Sequence, residues 1–177
     1  MKLINSNPGS ECELFEYVHD LDYSKIPADV IHQAKRALLD NIAAMIAGRR
    51  TEYAKGMEWI AKDGINGGTS TVIGSSIKTH CIRAALINGA YSQVHDFNDG
   101  FEFSGYCGGS YHPGRVLIPT ALAIGERVHA SGKMVLAGLV AGYDVSSRIR
   151  NPEYHHIPLP DAYGSAAVAS RLLSWNI

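Results

Sequence analysis

Residues 27–48 read PADVIHQAKRALLDNIAAMIAG, and this stretch decides the fold. Its apolar residues recur every three or four positions, at Val30, Ile31, Ala34, Leu38, Ile42, Met45 and Ile46. Such spacing places them on one face of an α-helix. Pro27 suits the first turn of a helix and Gly48 suits its C-cap. We therefore predict a long amphipathic helix that packs through a single face.

The same periodicity extends over most of the chain. It predicts further helices over residues 13–21, 53–63, 79–94, 116–130, 133–148 and 161–174. Pro119 should then lie in a first turn, where proline is tolerated, and Asp161 should be an N-cap. A short extended piece is predicted near residues 69–73, between glycines. The expected fold class is all-α, a helical bundle over residues 12–177 behind a flexible N-terminus at residues 1–11.

Composition excludes several classes of protein. The chain has 177 residues, of which 46% are hydrophobic and 19% charged, as in globular proteins. A formal net charge of -1 does not favour binding to nucleic acid or to an anionic membrane. No apolar run is long enough to predict a transmembrane helix. The cysteines Cys12, Cys81 and Cys107 are too widely spaced for a disulfide framework or a zinc motif. The N-terminus lacks the apolar core of a signal peptide, so a cytoplasmic location is expected.

Three groups of residues could carry chemistry. The first is residues 95–99, HDFND, at the predicted end of a helix. His and Asp side by side can act as an acid–base pair, although Asp96 and Asp99 could equally form Asx turns or cap a helix. The second is His112, directly before Pro113. The third is the adjacent pair at 155–156, HH, of which one at most is expected to point inward.

Two alternatives accompany these candidates. His95, Asp96, His112 and His155 are all of metal-ligand type, but no spacing here matches a metal motif, so we expect no bound metal. Arg148 and Arg150 could bind a carboxylate, or could simply complement the dipole at the end of a helix.

Several motifs in fixed order resemble the MmgE/PrpD family, which includes 2-methylcitrate dehydratase and cis-aconitate decarboxylase. They are AALINGA at residues 84–90 with HDFND at 95–99, His112-Pro113, GYDV at 142–145 with Arg148, and GSAA at 164–167. The resemblance runs from about residue 12 to the last residue. It implies a large helical domain and a smaller α/β lid domain, of which this sequence covers part of the helical domain without the lid.

The resemblance also implies site residues. Active sites of the family lie between the two domains, and their acidic and histidine motifs carry over to Asp96, His112 and His155 as catalytic residues. His155 is chosen by its distance to the GSAA motif, and His156 is the fallback. His95, Asn98 and His156 are expected to bind substrate.

The chemistry implied by the resemblance needs no cofactor. The expected activity is a lyase, either a dehydratase or a decarboxylase, or an epimerase, acting on a small polycarboxylic acid. The family's lid residues that bind substrate carboxylates lie outside these residues, so we expect the isolated chain to be inactive. A homodimer or a complementary C-terminal chain is the expected partner. The alternative is a non-catalytic truncated relative that serves as an assembly or interaction subunit. Asn98 and Gly100 depart from the family pattern and leave the substrate open.

Overall fold

Helices form most of the described part of the chain. The computed structural model describes residues 10–62, 67–100, 112–149 and 159–173. The helices are α1 (Ser10–Asp20), α2 (Ala28–Gly48), α3 (Tyr53–Lys62), α4 (Cys81–Gln93), α5 (Gly114–Arg127), α6 (Gly132–Ile149) and α7 (Leu159–Leu173). A 3-10 turn at Tyr23–Lys25 joins α1 to α2, and two short strands, β1 (Ser70–Thr71) and β2 (Lys78–Thr79), precede α4. The predicted all-α fold class is confirmed. Over these ranges, no helix is both long and apolar enough to cross a membrane.

The core is built around α5. Leu117 and Ile118 of this helix are fully buried. They belong to one apolar cluster whose other fully buried large members are Met45, Val72, Ile87, Tyr91, Leu139 and Val168, all of them in helices except Val72. Burial of each large apolar side chain stabilises the fold by about 1.5–3 kcal/mol. This shared core fixes α4, α5 and α6 relative to one another, and these three helices carry the candidate site.

Paired glycines let α6 and α7 pack closely. A Cβ at Gly142 would lie 3.0 Å from the carbonyl oxygen of Gly164, and a Cβ at Gly164 would lie 2.8 Å from that of Gly142. The two backbones therefore touch where a side chain on either helix would separate them. This contact places the start of α7 directly beside the middle of α6.

The two strands form an antiparallel hairpin that is pinned to α4. Ser70 pairs with Thr79, and Thr71 with Lys78. The buried side chain of Asn88 donates to the Thr71 carbonyl and accepts from the Ile73 N–H, both at 2.9 Å. The extended piece predicted near residues 69–73 is confirmed, and Asn88 holds it together with bonds from Ser70 and Thr71 to α5.

The role predicted for Gly48 is wrong. α2 ends at this residue, but the capping residue is Arg49, in right-handed helical conformation. Gly48 is instead a contact point between helices, since a Cβ there would overlap the carbonyl oxygen of Tyr91 in α4. Glycine is needed for close approach and not for a left-handed turn.

Two other local predictions are also wrong. Because α5 begins at Gly114, Pro119 is its sixth residue and lies beyond the first turn. Proline has no N–H to bond the Arg115 carbonyl, and Gly89 of α4 packs there, with its Cβ position 3.0 Å from that carbonyl oxygen. Asp161 is the third residue of α7 and not its N-cap. Its acidic side chain in the first turn still complements the helix dipole.

Candidate active site

The end of α4 determines the position of Asp96. The chain leaves this helix through a turn in which Asp96 has a φ of 51°, a left-handed conformation that Asp tolerates better than most residues. The Asp96 N–H donates to the Gln93 carbonyl at 3.0 Å. Its carboxylate accepts from the Gln93 side-chain amide at 2.7 Å. Asp96 is therefore exposed to solvent but held against the last turn of α4.

The neighbours of Asp96 point in different directions. His95 is exposed and stacks on Phe97, with ring centroids 5.3 Å apart. Asn98 is partly buried, and its amide donates to the carbonyl and hydroxyl oxygens of Ser92 at 2.7 and 2.8 Å. Of these two predicted substrate-binding residues, His95 is open to solvent, whereas the amide nitrogen of Asn98 is already bonded within the fold.

His112 is tied to the other end of the same connection. It is partly buried and immediately precedes α5. Its Nδ1 lies 2.8 Å from the main-chain carbonyl oxygen of Asp99. Since a carbonyl oxygen can only accept, Nδ1 must carry a hydrogen and donate it. In the neutral ring the lone pair therefore resides on Nε2, the nitrogen available for proton transfer.

The Asp99 side chain joins two helices. Its carboxylate accepts from the Gly114 N–H, at 3.1 and 3.2 Å to its two oxygens, and so caps the start of α5. It also accepts from the Tyr143 hydroxyl of α6 at 2.7 Å. A Cβ at Gly114 would overlap the carboxylate and lie 2.8 Å from the Tyr143 hydroxyl. Only glycine therefore permits this carboxylate to sit between α5 and α6.

Burial dominates the electrostatics at Asp99. Loss of solvent raises the pKa of this carboxyl group, although hydrogen bonds from Tyr143 and Gly114 act to lower it. Repulsion from Asp40 raises the pKa further, and attraction to His112 lowers it.

A groove of about 550 Å³ runs beside this cluster. Pro113 and Tyr143 form part of its wall, and Asp144 of α6 lies nearby on it. Arg148 donates to both oxygens of Asp144, at 2.8 and 3.0 Å, so this arginine is engaged in a bidentate pair within the fold. Burial and then the charge of Asp144 raise the pKa of Tyr17, which lines the same groove. Of the two arginines suggested as carboxylate ligands, Arg150 lies outside the described residues.

The predicted catalytic residues are only partly located. Asp96 and His112 lie at opposite ends of the connection between α4 and α5, whereas His155 and His156 fall outside the described residues. Convergence of the three catalytic candidates on one cavity therefore stays a prediction. No group of three potential metal ligands gathers among the residues of the described ranges. Because His155 is outside them, the metal alternative is untested.

Sequence reasoning did not select Asp99 or Tyr143 as site residues. Asp99 belonged to the candidate motif at residues 95–99, with a turn or helix cap as its alternative role, and it is indeed a cap for α5. Tyr143 lies within the GYDV motif, but nothing in that motif indicates a bond to a residue 44 positions earlier. A glycine directly after His-Pro was the available signal, since it leaves room for an acidic side chain at the start of α5.

Comparison with known proteins establishes the family. A model described as the MmgE/PrpD N-terminal domain matches residues 12–176. The chain belongs to the MmgE/PrpD family. The predicted resemblance is thus confirmed, and the cluster at Asp99 and His112 lies within an MmgE/PrpD N-terminal domain.

Similar fungal proteins indicate a lyase-type MmgE/PrpD family. The cis-aconitate decarboxylase-like protein oryM of Aspergillus oryzae is 28% identical over 191 residues, which cover 98% of this chain and 39% of that protein. A cis-aconitate decarboxylase of Aspergillus terreus is 24% identical over 169 residues, which cover 93% of this chain and 34% of the relative. This MmgE/PrpD chain therefore spans between about a third and two fifths of the length of the relatives it matches.

Proposed function

We propose that this chain supplies the histidine- and aspartate-bearing part of a cofactor-independent lyase. The substrate is a small polycarboxylic acid, and the reaction is dehydration or decarboxylation, with epimerisation as the related outcome of the same proton transfer. One observation carries the proposal: His112 donates through Nδ1 to the Asp99 carbonyl, which leaves Nε2 as its proton-exchanging nitrogen. The decarboxylase names of the relatives support the substrate class.

Proton transfer at His112 does not require the ring to move. The Nδ1–H donates to Asp99 whether the ring is neutral or protonated. Nε2 can therefore take and return a proton while the ring keeps its position. Histidine is the side chain most often used as a general acid and base. We assign the partner roles to Asp96 and His155, with His156 as the alternative to His155.

The proposed steps differ only in the leaving group. In dehydration, one group removes the proton from the carbon beside a carboxylate, the carbon–oxygen bond breaks, and a second group protonates the departing hydroxide to give water. In decarboxylation, the carbon–carbon bond breaks, carbon dioxide leaves, and the electron pair stays on carbon until an acid protonates it. In epimerisation, the proton is removed from this carbon and a proton is then added to the opposite face of the same carbon. Each positioned proton transfer contributes about 10²–10⁴-fold in rate.

We also propose that the substrate carboxylates are bound by groups from another segment or chain. Cations are the natural partners for a polycarboxylate. Arg148 of α6 already forms its bidentate pair with Asp144, and Arg115 of α5 donates to the side-chain oxygen of Gln93. A homodimer or a complementary C-terminal segment would supply further cations. Alone, the 177-residue chain is expected to be inactive.

The test is proton exchange and turnover by the intact protein that carries this sequence. Cis-aconitate, citrate and 2-methylcitrate would each be incubated in deuterium oxide and followed by proton NMR. Loss of substrate reports net reaction, and deuterium on the carbon beside a carboxylate reports proton transfer without net reaction. His112→Gln is expected to lower either rate by about 10²–10⁴-fold. His32→Gln, at an exposed position on α2, is the matched control and should leave the rate unchanged.

A second variant removes one charge without removing its hydrogen bond. Asp96→Asn keeps an oxygen that accepts from Gln93, and Asn also tolerates the left-handed backbone. A fall of about 10²–10⁴-fold in rate is expected, with an unchanged melting temperature. The proposal is wrong if the intact protein neither consumes nor deuterates any of the three acids, or if both variants match the wild type. Robust turnover by the isolated chain would contradict the need for a further segment.

A further inference from the structure

We propose that Asp99 and Tyr143 are positioning residues that hold the His112 ring and select the nitrogen at which it exchanges protons. Asp99 uses both of its ends: its main-chain carbonyl accepts from His112, and its carboxylate accepts from Tyr143 and from the Gly114 N–H. We call these four residues the Asp99 clamp. The catalytic consequence of the clamp rests on the proposed function, whereas its effect on the His112 tautomer does not.

The residue whose carbonyl receives His112 is anchored through its own carboxylate. Tyr143 donates at 2.7 Å from α6, and Gly114 donates at 3.1 and 3.2 Å from the first turn of α5. Both helices are anchored in the common core, so the carboxylate is held between two rigid elements. These bonds anchor the side chain and Cα of Asp99 between α5 and α6, and so fix the point from which its main-chain carbonyl reaches His112. The hydrogen bond to His112 therefore depends on how these helices pack.

Capping of α5 alone does not explain the arrangement. An exposed Asp or Ser can cap a helix without losing solvent. Here the carboxylate is partly buried, and its desolvation raises the pKa of Asp99 in spite of two hydrogen-bond donors, Tyr143 and Gly114. A tyrosine from a third helix is added where one backbone N–H would suffice for the cap. Such supporting bonds are expected where the orientation of an attached histidine matters, as with the outer partners of metal-bound histidines.

The first experiment reads the tautomer of His112 directly. The intact protein, labelled with ¹⁵N in histidine, would be examined by long-range proton–nitrogen NMR at a pH where the ring is neutral. In the wild type, His112 is expected to carry its hydrogen on Nδ1. Tyr143→Phe removes one hydroxyl with little change in volume. It should lower the ratio of the Nδ1–H form to the Nε2–H form by roughly two- to tenfold, as expected for the loss of one hydrogen bond.

Two substitutions at Asp99 should lower the tautomer ratio of His112 to different extents. Asp99→Ala removes the carboxylate with its bonds to Tyr143 and Gly114 but keeps the main-chain carbonyl, and it should lower the ratio at least as far as Tyr143→Phe. Asp99→Asn keeps one acceptor oxygen and should lie between Asp99→Ala and the wild type. Tyr17→Phe is the matched control, because the hydroxyl of Tyr17 bonds to Asp144 on the same groove and does not touch Asp99. This control should retain the wild-type ratio.

The clamp is refuted if wild-type His112 carries its hydrogen on Nε2. It is equally refuted if Tyr143→Phe and Asp99→Ala both keep the wild-type ratio. Should Asp99→Ala fail to fold, as judged by circular dichroism, the comparison of Tyr143→Phe with Tyr17→Phe decides alone.

Kinetics then separate the clamp from the proposed function. With a polycarboxylate that the wild type turns over, Tyr143→Phe should lower kcat by roughly ten- to a hundredfold and change KM much less. If no polycarboxylate is turned over, the proposed function is wrong, and the tautomer ratios still judge the clamp. If the wild type is active and Tyr143→Phe matches it in both kcat and tautomer, the clamp is wrong and the proposed function stands.

Discussion

Gly48→Ala is expected to destabilise the chain, even though alanine favours helices over glycine. A Cβ at residue 48 would overlap the carbonyl oxygen of Tyr91, with the carbonyl carbon 2.7 Å away and the Tyr91 Cα 3.0 Å away. All three are backbone atoms of α4, so no side chain can rotate to make room. The added methyl group must therefore push α2 and α4 apart at a point where both are buried.

The size of the effect follows from two opposing contributions. Overpacking a core costs about 1–3 kcal/mol, and a clash with backbone belongs at the upper end of that range. Replacement of a helical glycine by alanine returns about 1 kcal/mol. The net loss in the free energy of unfolding is thus about 2 kcal/mol. For a domain of this size the Tm should fall by about 4–8 °C.

Gly56→Ala in α3 is the matched control, because no atom lies within 4 Å of its Cβ position. At residue 56 the added methyl group causes no clash, and alanine loses less backbone entropy than glycine on folding. Gly56→Ala should therefore be stabilised by about 0.5–1 kcal/mol. Urea unfolding followed by far-ultraviolet circular dichroism measures both variants. Equal or greater stability of Gly48→Ala relative to the wild type would show that the two helices do not meet through this glycine.

Two further predictions concern a buried amide and a buried carboxyl group. Asn88→Ala should lower the free energy of unfolding by about 2–4 kcal/mol, since it strands a carbonyl and an N–H of the hairpin. Asp99→Asn should change how stability depends on pH. Burial raises the folded-state pKa of Asp99, so between its ordinary value of 3.8 and that raised value the folded chain binds more protons than the unfolded chain. Relative to Asp99→Asn, the wild type should be most stable at low pH and lose stability as the pH rises through this window.

Each of these predictions has a control with a different expected sign or size. Leu86→Ala, on the exposed face of the same helix as Asn88, should change stability by less than about 0.5 kcal/mol. Hydrogen bonds from Ser24 lower the pKa of Asp22. Relative to Asp22→Asn, the wild type should therefore gain stability as the pH rises toward neutrality, opposite to the trend at Asp99. Urea unfolding measures all four variants, and for the two Asp variants it is repeated across the acidic range. Equal losses of stability in Asn88→Ala and Leu86→Ala would contradict the first prediction. The same pH trend for Asp99 and Asp22 would contradict the second.

The sequence by itself determined the class of fold and most of its elements. Apolar residues at helical spacing predicted α2 and the other helices, because a helix that buries one face needs an apolar residue at every third or fourth position. The extended segment near residues 69–73 was predictable because glycines flank a short β-branched run, whereas its pairing with residues 78–79 was not predicted. The ordered motifs from residue 84 to residue 167 also indicated the family correctly. All of these signals are local, so a linear chain can carry them.

The tertiary structure alone decided which residues meet. Local rules assigned Gly48 to a cap and Pro119 to a first turn, whereas packing against α4 gives Gly48 another role and accommodates Pro119 in the second turn of α5. At the candidate site, His112 meets a carbonyl 13 residues earlier, and Tyr143 meets a carboxylate 44 residues earlier. These contacts depend on the angle and separation at which α4, α5 and α6 pack around their shared core. No spacing along the sequence records that geometry, because it is set by the volumes of side chains from several helices at once.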